Sequence, residues 1–409
     1  MRPTFMLLSL FKFIFGFVLL GIQFYFYRAV KAYLSEGRPR PRLLLLARIL
    51  FALFSLPVLV ASFWFPLVTR APALVIFILF YPFYCWHFTW FLMFLLTAAG
   101  EVLRLILRGA SFLRQMAGGP PRKPVLPYQP SRRTFLRRTS VTTAGVIFSG
   151  AAYGALVHDN YELTRITIPL ARLPHAFEGY TIALLSDIHS SIFMTRETMD
   201  RYVSAANELG ANIIAVTGDF VNSMVQEVHP FAESFSRLTA QDGVYGVLGN
   251  HDFYTKDVEQ VAEVVNQCGI RLIRNQYLTL RRGGESLILA GVDDAEIPPV
   301  ARNYITRSLA GAPDEPARVL LCHRPYFLRE AIDSQVDLML SGHTHGGQIV
   351  LARFGNEVMA PARLASPFVA GLYKRSGTQL YVSRGIGTVG LPIRINCPPE
   401  LTLITLTRA

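Results

Sequence analysis

Long apolar runs dominate the first part of the chain. Three of them, roughly Phe5–Tyr27, Leu43–Val68 and Ala73–Ala98, each reach the length of about 20 residues that an α-helix needs to cross a bilayer. A fourth and less apolar run covers Val141–Val157. The pattern therefore predicts an α-helical transmembrane region with three helices in residues 1–114, and one further apolar segment before the rest of the chain.

From about Thr167 the pattern changes to short apolar runs that alternate with segments of helical spacing. Runs such as Thr181–Leu185 and Ile213–Val216 have the length of buried strands, whereas Val258–Gln267 repeats its apolar residues at the spacing of an amphipathic helix. Strands that alternate with helices predict an α/β fold. Residues 158–409 are long enough to form one such domain with a sizeable core.

The two parts of the chain differ in charge. Residues 1–157 carry 18 Lys or Arg against 2 Asp or Glu, a net charge of +16, so residues 158–409 carry −4 of the chain's total of +12. The basic residues concentrate in the 28–42 loop and the 100–138 segment, which the positive-inside rule places in the cytoplasm. We therefore predict a multi-pass protein of the cytoplasmic (inner) membrane whose residues 158–409 lie on the outer, periplasmic side. The acidic folded part also argues against a nucleic-acid partner.

Two segments connect these parts. Residues 115–130 are rich in Gly and Pro, which predicts a linker. The next stretch, Ser131–Arg138, resembles the twin-arginine export signal, with Arg137 where that signal has lysine and with an internal rather than an N-terminal position. The resemblance implies the twin-arginine export machinery as a partner; the alternative is an ordinary basic flank of a fourth span. The predicted division is residues 1–114 for the membrane region, 115–130 for the linker, 131–157 for the signal-like segment and 158–409 for the folded domain.

Polar clusters follow the apolar runs of the folded part, at the points where strands are predicted to end. Their candidate residues are Asp187, His189, Asp219, Asn250, His251, Asp252, His323, His343 and His345. The first three clusters lie about 30 residues apart, the length of one βαβ unit, so successive parallel strands would bring them to one edge of a sheet. Carboxylate, imidazole and amide-oxygen ligands without thiolate suit Mn, Fe, Zn or Mg. The four cysteines are widely separated and lack a C-x-x-C pattern, which excludes a Cys-rich zinc site.

The ordered set of clusters resembles the calcineurin-like metallophosphoesterases, whose motifs are D-x-H, G-D-x-x-D, G-N-H-[DE], H and G-H-x-H. The resemblance covers about residues 175–409 and is closest to the membrane-associated or exported bacterial branch. The similarity to that branch lies mainly in three stretches: Gly342–Ile349, Tyr381–Gly387 and Leu391–Leu403. The chain departs from the family pattern at Asn222, which stands where the second Asp of G-D-x-x-D is expected.

This resemblance implies a four-layer αββα sandwich, two mixed sheets flanked by helices, that holds two divalent metal ions. One ion would be bound by Asp187, His189, Asp219 and His345, and the other by Asp219, Asn250, His323 and His343, with Asp219 bridging. The resemblance also implies hydrolysis by a metal-activated hydroxide, with His251 as general acid and Asp252 fixing the tautomer of that histidine. Arg384 and Arg324 are candidate ligands of the substrate phosphate, because the arginine fork matches phosphate oxygens. Arg324 is equally open to a surface ion pair.

We therefore predict a membrane-anchored phosphoesterase whose substrate is a phosphodiester, with lipids or cell-envelope precursors as the candidate source. One alternative is a UDP-diacylglucosamine-type pyrophosphatase of lipid A synthesis, whose substrate is made in the cytoplasm. A second alternative is a membrane sensor or scaffold whose metal domain binds without turnover.

Overall fold

The computed structural model divides the chain into two compact units, Met1–Tyr153 and Gly154–Ala409. Residues 119–129 of the predicted linker lie outside the described backbone. The side chains of residues 3–13 in the first predicted span, of residues 56–68 in the second, and of residues 131–134 and 136–137 in the signal-like motif are also outside the description. The residues whose backbone is described are 3–35, 40–68, 73–118, 130–354 and 357–409.

The first unit consists of helices where it is described. They are α1 (Pro3–Ser35), α2 (Pro41–Val68), α3 (Ala73–Val75), a π-helical turn (Ile76–Phe80), α4 (Tyr81–Met116) and α5 (Pro130–Leu156), whose last residues, from Gly154, belong to the second unit. Among the described residues, two helical stretches are long and apolar enough to cross a membrane, Ile14–Ser35 and Ile76–Met116. The predicted third span, Ala73–Ala98, continues as helix to Met116. At 1.5 Å per residue α4 is about 54 Å long, well beyond the ~30 Å of a bilayer core.

Aromatic packing joins α1, α2 and α4. Phe51 of α2 packs against Trp86 and Trp90 of α4, with ring centroids 5.0 and 5.5 Å away. Phe26 of α1 lies 4.7 Å from Trp90. Gln23 of α1 accepts a hydrogen bond of 2.9 Å from the Trp86 indole N–H. Because a buried polar group is costly without a partner, this bond helps to fix α1 against α4.

The second unit is an α/β domain. Its strands are β1 (Glu162–Leu170), β2 (Thr181–Leu185), β3 (Ile213–Val216), β4 (Val244–Gly246), β5 (Arg271–Leu272), β6 (Gln276–Arg282), β7 (Glu285–Gly291), β8 (Arg318–Leu321), β9 (Leu338–Ser341), β10 (Ala352–Phe354), β11 (Glu357–Met359), β12 (Gly371–Arg375), β13 (Thr378–Val382) and β14 (Glu400–Arg408). Its helices are α6 (Arg196–Glu208), α7 (Val228–Phe235), α8 (Asn250–Tyr254), α9 (Val258–Gln267), α10 (Pro298–Ser308) and α11 (Leu328–Asp333). The bounds of α9 are those that the apolar spacing predicts.

Two six-stranded sheets form the middle of this domain. The first has the strand order β1-β14-β2-β3-β4-β5, and the second has the order β12-β13-β9-β8-β7-β6. Strands β2 to β5 are parallel to one another, as are β7, β8, β9 and β13. In contrast, β14 is antiparallel to β2, and β6 and β12 are antiparallel to their neighbours. Both sheets are therefore mixed.

Apolar side chains pack the sheets face to face and cover each sheet with helices. In β2, Ile182 and Leu184 enter the core between the sheets, while Ala183 and Leu185 face the core under α6, α7 and α9. On the second sheet, Leu320 packs in the core beneath α10 and α11. Strands that are buried on both faces need continuous apolar runs, which explains the sequence pattern. The predicted four-layer αββα sandwich is confirmed.

Candidate metal centre

The predicted metal ligands follow five strands of the two sheets. Asp187 and His189 follow β2, Asp219 follows β3, Asn250 follows β4, His323 follows β8, and His343 and His345 follow β9. Strands β2, β3 and β4 are neighbours in the first sheet, and β8 and β9 are neighbours in the second. The carboxyl ends of these strands therefore bring polar loops from both sheets to one end of the sandwich, where α/β folds form ligand sites.

One group of side chains comprises Asp187, His189 and His345. The Nε2 atoms of His189 and His345 lie 3.1 Å apart, and Nε2 of His345 lies 3.5 Å from Oδ1 of Asp187. All three residues are buried. The group therefore presents two imidazoles and one carboxylate to a single point.

A second group comprises Asn250, His323 and His343. Nε2 of His323 lies 3.1 Å from Oδ1 of Asn250 and 3.2 Å from Nδ1 of His343. Asp219 joins the two groups, because its Oδ2 lies 3.4 Å from Nε2 of His189 and 3.3 Å from Nε2 of His323. One carboxylate oxygen of Asp219 thus lies next to a histidine of each group.

Backbone carbonyls orient two of these histidines. Nδ1 of His323 donates to the carbonyl of Thr217 at 2.7 Å, and Nδ1 of His345 donates to the carbonyl of Gly387 at 3.4 Å. A carbonyl only accepts hydrogen bonds, so each Nδ1 carries the hydrogen. In each ring the Nε2 atom is left to act as a ligand, as is usual in metal sites.

The donor set fits divalent ions in both chemistry and spacing. Ligand atoms about 2.0–2.2 Å from one ion lie about 3 Å from each other, which is close to the separations within both groups. Imidazole, carboxylate and amide oxygen without sulfur suit Mn, Fe, Zn or Mg. The residues present therefore fit the metal ions that the family resemblance implies.

Burial and mutual charge control the protonation of the cluster. Burial lowers the pKa of His345 to about 4 and holds the pKa values of His189 and His343 well below the usual range. Burial also opposes the charged forms of His323 and Asp219, but their mutual attraction outweighs it. This attraction raises the pKa of His323 to about 10 and keeps the pKa of Asp219 well below its usual value. Three neutral imidazoles therefore offer lone pairs, and His323 must release a proton before it can bind a cation.

Five of the predicted ligands have left-handed backbone conformations. Their φ angles are 53° at Asp187, 47° at His189, 56° at Asp219, 71° at His343 and 51° at His345. Each such residue costs of order 1–3 kcal/mol, and residues of this kind cluster at functional sites. The backbone of these loops therefore adopts a less stable conformation, which sets the direction of the five side chains.

Two glycines allow the loops to approach one another. A Cβ atom on Gly342 would collide with the side chains of Ser186 and Asp187, and one on Gly249 would collide with Asp219. The motif glycines at these positions are therefore needed for close packing of the ligand loops.

Asp252 does not orient His251, contrary to the prediction from the sequence. Its carboxylate accepts hydrogen bonds from the backbone N–H groups of Gly249 at 2.8 Å, Asp219 at 3.0 Å and Phe220 at 2.9 Å, and from a fourth at 3.2 Å. Asp252 is fully buried. Its role is to tie the loop after β3 to the loop after β4, so that Asp219 and Asn250 keep their places.

The tautomer of His251 is set by a backbone carbonyl instead. Nδ1 of His251 donates to the carbonyl oxygen of Asn222. The loop that carries this carbonyl is itself held by Glu227, which accepts from the N–H groups of Asn222, Ser223 and Met224 at 3.0, 2.7 and 2.9 Å. The backbone carbonyl of Asn222 therefore contributes to the site by orienting His251, and the carboxylate of Glu227 holds the loop that carries this carbonyl.

Both predicted substrate arginines form ion pairs with carboxylates in the structure. Arg324 makes two bonds to Asp294, of 2.6 and 2.8 Å. This is an ion pair, as the alternative predicts, but it is largely buried and does not lie at the surface. Arg384 is buried, and it contacts Glu162 at 2.9 Å and Glu400 at 3.4 Å. Arginine forks favour carboxylates as well as phosphate, so sequence alone does not separate the two roles.

Arg394 is a structural residue of the site that sequence reasoning missed. Its guanidinium is fully buried and donates to the carbonyls of His345, Arg384, Gly385 and Gly387. These carbonyls belong to the loops after β9 and β13. The available signal was a lone arginine within the apolar stretch Leu391–Leu403.

The stacked sheets and the cluster of Asp, His and Asn side chains define a metallophosphoesterase domain. The family described as calcineurin-like phosphoesterase matches residues 180–347. The metallophosphoesterase YkuE of Bacillus subtilis is 31% identical over 283 residues, covering 68% of this chain and 97% of YkuE. The phosphodiesterase YaeI of Escherichia coli is 30% identical over 284 residues, covering 68% and 99%.

A transmembrane protein with a metallophosphoesterase domain from Danio rerio is 34% identical over 258 residues. That match covers 61% of this chain, which spans only 58% of the fish protein. The chain belongs to the calcineurin-like phosphoesterase family. Residues 180–347 accordingly belong to a domain of a family of metal-dependent phosphoester hydrolases.

Proposed function

We propose that this chain is a membrane-anchored phosphodiesterase that uses two divalent ions and acts at the outer face of the cytoplasmic membrane. The observation that carries the proposal is the position of Asp219 Oδ2, within 3.4 Å of one histidine from each ligand group. The name of the E. coli relative favours phosphodiesters. The two apolar helical stretches and the name of the fish relative favour membrane anchoring.

The residues of this site fall into two roles, metal binding and protonation of the leaving group. Asp187, His189 and His345 would hold one ion and Asn250, His323 and His343 the other, with Asp219 shared. When bound, the ions supply Lewis acidity towards the phosphate and lower the pKa of a water. The half-buried His251 donates through Nδ1 to the carbonyl of Asn222, so its Nε2 is available to protonate the leaving oxygen.

The shared carboxylate gives the sharpest test. Full-length protein in detergent is loaded with Mn²⁺, its metal content is measured by mass spectrometry, and hydrolysis of bis(p-nitrophenyl) phosphate is followed. We expect about two ions in the parent, and in Asp219→Asn a weakened hold on both ions with nearly complete loss of hydrolysis. Asp200→Asn, a matched change at a surface ion pair with Arg237, should leave both readouts unchanged.

Two results would overturn the proposal. A parent that binds metal but hydrolyses no phosphodiester would indicate a binding protein. An Asp219→Asn variant that retains both ions at parental affinity would exclude the shared ligand.

A further inference from the structure

A groove in the second unit lies outside the ligand cluster. It has a volume of about 420 Å³, and its lining includes Phe253 and Tyr254 of α8, Ile297, and Val300 and Tyr304 of α10. Tyr254 is 59% exposed and Ile297 is 53% exposed. Exposed apolar and aromatic side chains that gather in one groove make it a candidate ligand site.

Two sets of contacts connect the groove to the candidate metal centre. On one side, the ring of Tyr254 lies 5.3 Å from the ring of His251, which is on the same helix. On the other side, Asp294 lines the groove and holds Arg324, and Arg324 bonds to the hydroxyl of Tyr326. The ring of Tyr326 lies 5.8 Å from that of the predicted ligand His343. A phosphate at the metal centre would thus have the groove beside it, on the side of the proposed general acid.

The charges of the groove disfavour an anionic occupant. Asp294 is already neutralised by the two bonds from Arg324, of 2.6 and 2.8 Å. The other lining carboxylate, Glu296, would repel a second phosphate. None of the described residues that line the groove has an amide or a positively charged side chain, the groups that best recognise base edges or phosphate. Apart from the hydroxyl groups of Tyr254 and Tyr304, the rest of the lining offers apolar contact.

We propose that this groove binds the alkyl or acyl chain of the leaving group, so that the substrate class of the enzyme is a phosphoester of a lipid. The inference rests on the proposed function. The aliphatic side chains of Ile297 and Val300 suit a hydrocarbon chain. The apolar stretches Ile14–Ser35 and Ile76–Met116 of the same chain supply a bilayer as the source of such molecules.

The test uses n-alkyl phosphates as competitive inhibitors of the hydrolysis of bis(p-nitrophenyl) phosphate by the Mn²⁺-loaded full-length protein in amphipol. Methyl, butyl, hexyl and octyl phosphate are compared at concentrations below micelle formation. Full burial of a methylene corresponds to about fourfold in affinity. We expect the inhibition constant to fall at least about twofold per methylene in the parent.

The double variant Ile297→Ser/Val300→Ser should flatten this dependence on chain length while leaving inhibition by methyl phosphate unchanged. Leu163→Ser, at an exposed apolar position on β1, is the matched control and should keep the parental dependence. Unchanged inhibition by methyl phosphate also shows that the double variant is folded. Should that variant lose activity, the single change Val300→Ser, with about half the effect, takes its place.

Three results would overturn the groove assignment alone: a flat chain-length dependence in an active parent, equal dependence in parent and variant, or tighter binding of a nucleoside 5′-monophosphate than of octyl phosphate. A metal-loaded parent that hydrolyses nothing overturns the proposed function, and the groove assignment with it. The two failures are therefore distinguishable.

Discussion

His343 shows how the backbone of a single residue contributes to the site. Its φ of 71° is a conformation that glycine adopts readily and other residues adopt at a cost. The side chain at this position is therefore retained against a conformational penalty, which is expected of a residue selected for chemistry and not for stability.

Replacement of His343 by Gly should therefore give a more stable protein than replacement by Ala, by up to about 1 kcal/mol. Both variants lack the imidazole, so the comparison isolates the backbone. Thermal unfolding in the presence of a chelator measures the difference. The same pair of changes at Glu263, inside α9, should give the opposite order, because glycine destabilises helix interiors. Equal stability of the two variants at position 343 would show that the backbone relaxes there without strain.

His251 should separate metal binding from turnover. The variant His251→Ala is expected to keep its metal content but to lose about 10²- to 10⁴-fold in kcat on substrates with alkoxide leaving groups. The loss should be small on bis(p-nitrophenyl) phosphate, since p-nitrophenolate leaves without a proton. Parallel assays of kcat on the two substrate types check this. An equal loss on both would place His251 in another role.

At the scale of loops and strands, Arg394 links the loop after β9 to the loop after β13. The variant Arg394→Lys should lose at least about 3 kcal/mol of stability, because several buried carbonyls would lose a charged donor. Lysine keeps the charge but not the planar fork, so charge alone should not rescue the protein. Chemical denaturation measures the loss. Arg375→Lys, at an exposed position on β12, is the control and should be neutral within about 0.5 kcal/mol.

The sequence predicts the site better at the scale of elements than at the scale of hydrogen bonds. Apolar runs identify buried strands, and polar residues that follow them must meet wherever parallel strands end together, which is why Asp187, Asp219 and Asn250 converge. The pairing of Asp252 with backbone N–H groups, and of Arg384 with Glu400, depends on distances between loops that are remote in sequence. No local pattern encodes those distances.

The order of the strands in a sheet is also not predicted by the pattern of apolar runs. The periodicity of Glu400–Arg408 is consistent with a strand. However, no feature of the local sequence predicts that β14 pairs with β1 on one side and with β2 on the other. That pairing is decided by which apolar faces remain unburied when the rest of the first sheet has formed.

At the scale of the whole molecule, the side of the membrane on which the second unit lies is a prediction from the charge pattern and from the twin-arginine resemblance of Ser131–Arg138. The four native cysteines are buried and free, so a single introduced cysteine can report it. Leu364→Cys, at a position that is 94% exposed, should react with a membrane-impermeant maleimide in intact cells. Gln115→Cys, in the predicted cytoplasmic segment, should react only after permeabilisation. The reverse pattern would place the hydrolase in the cytoplasm and favour a substrate made there.

The position of β14 has a consequence for biosynthesis. The strand fills the gap between β1 and β2, although it is synthesised more than 200 residues after them. Until residue 408 has left the ribosome, a nascent chain therefore exposes the open edges of both strands, and such edges promote aggregation. Closing the sheet requires contacts of long sequence separation, which form slowly. We expect the nascent domain to depend on a chaperone that shields these edges, and translocation of the domain in a folded form would have to wait until β14 has been synthesised.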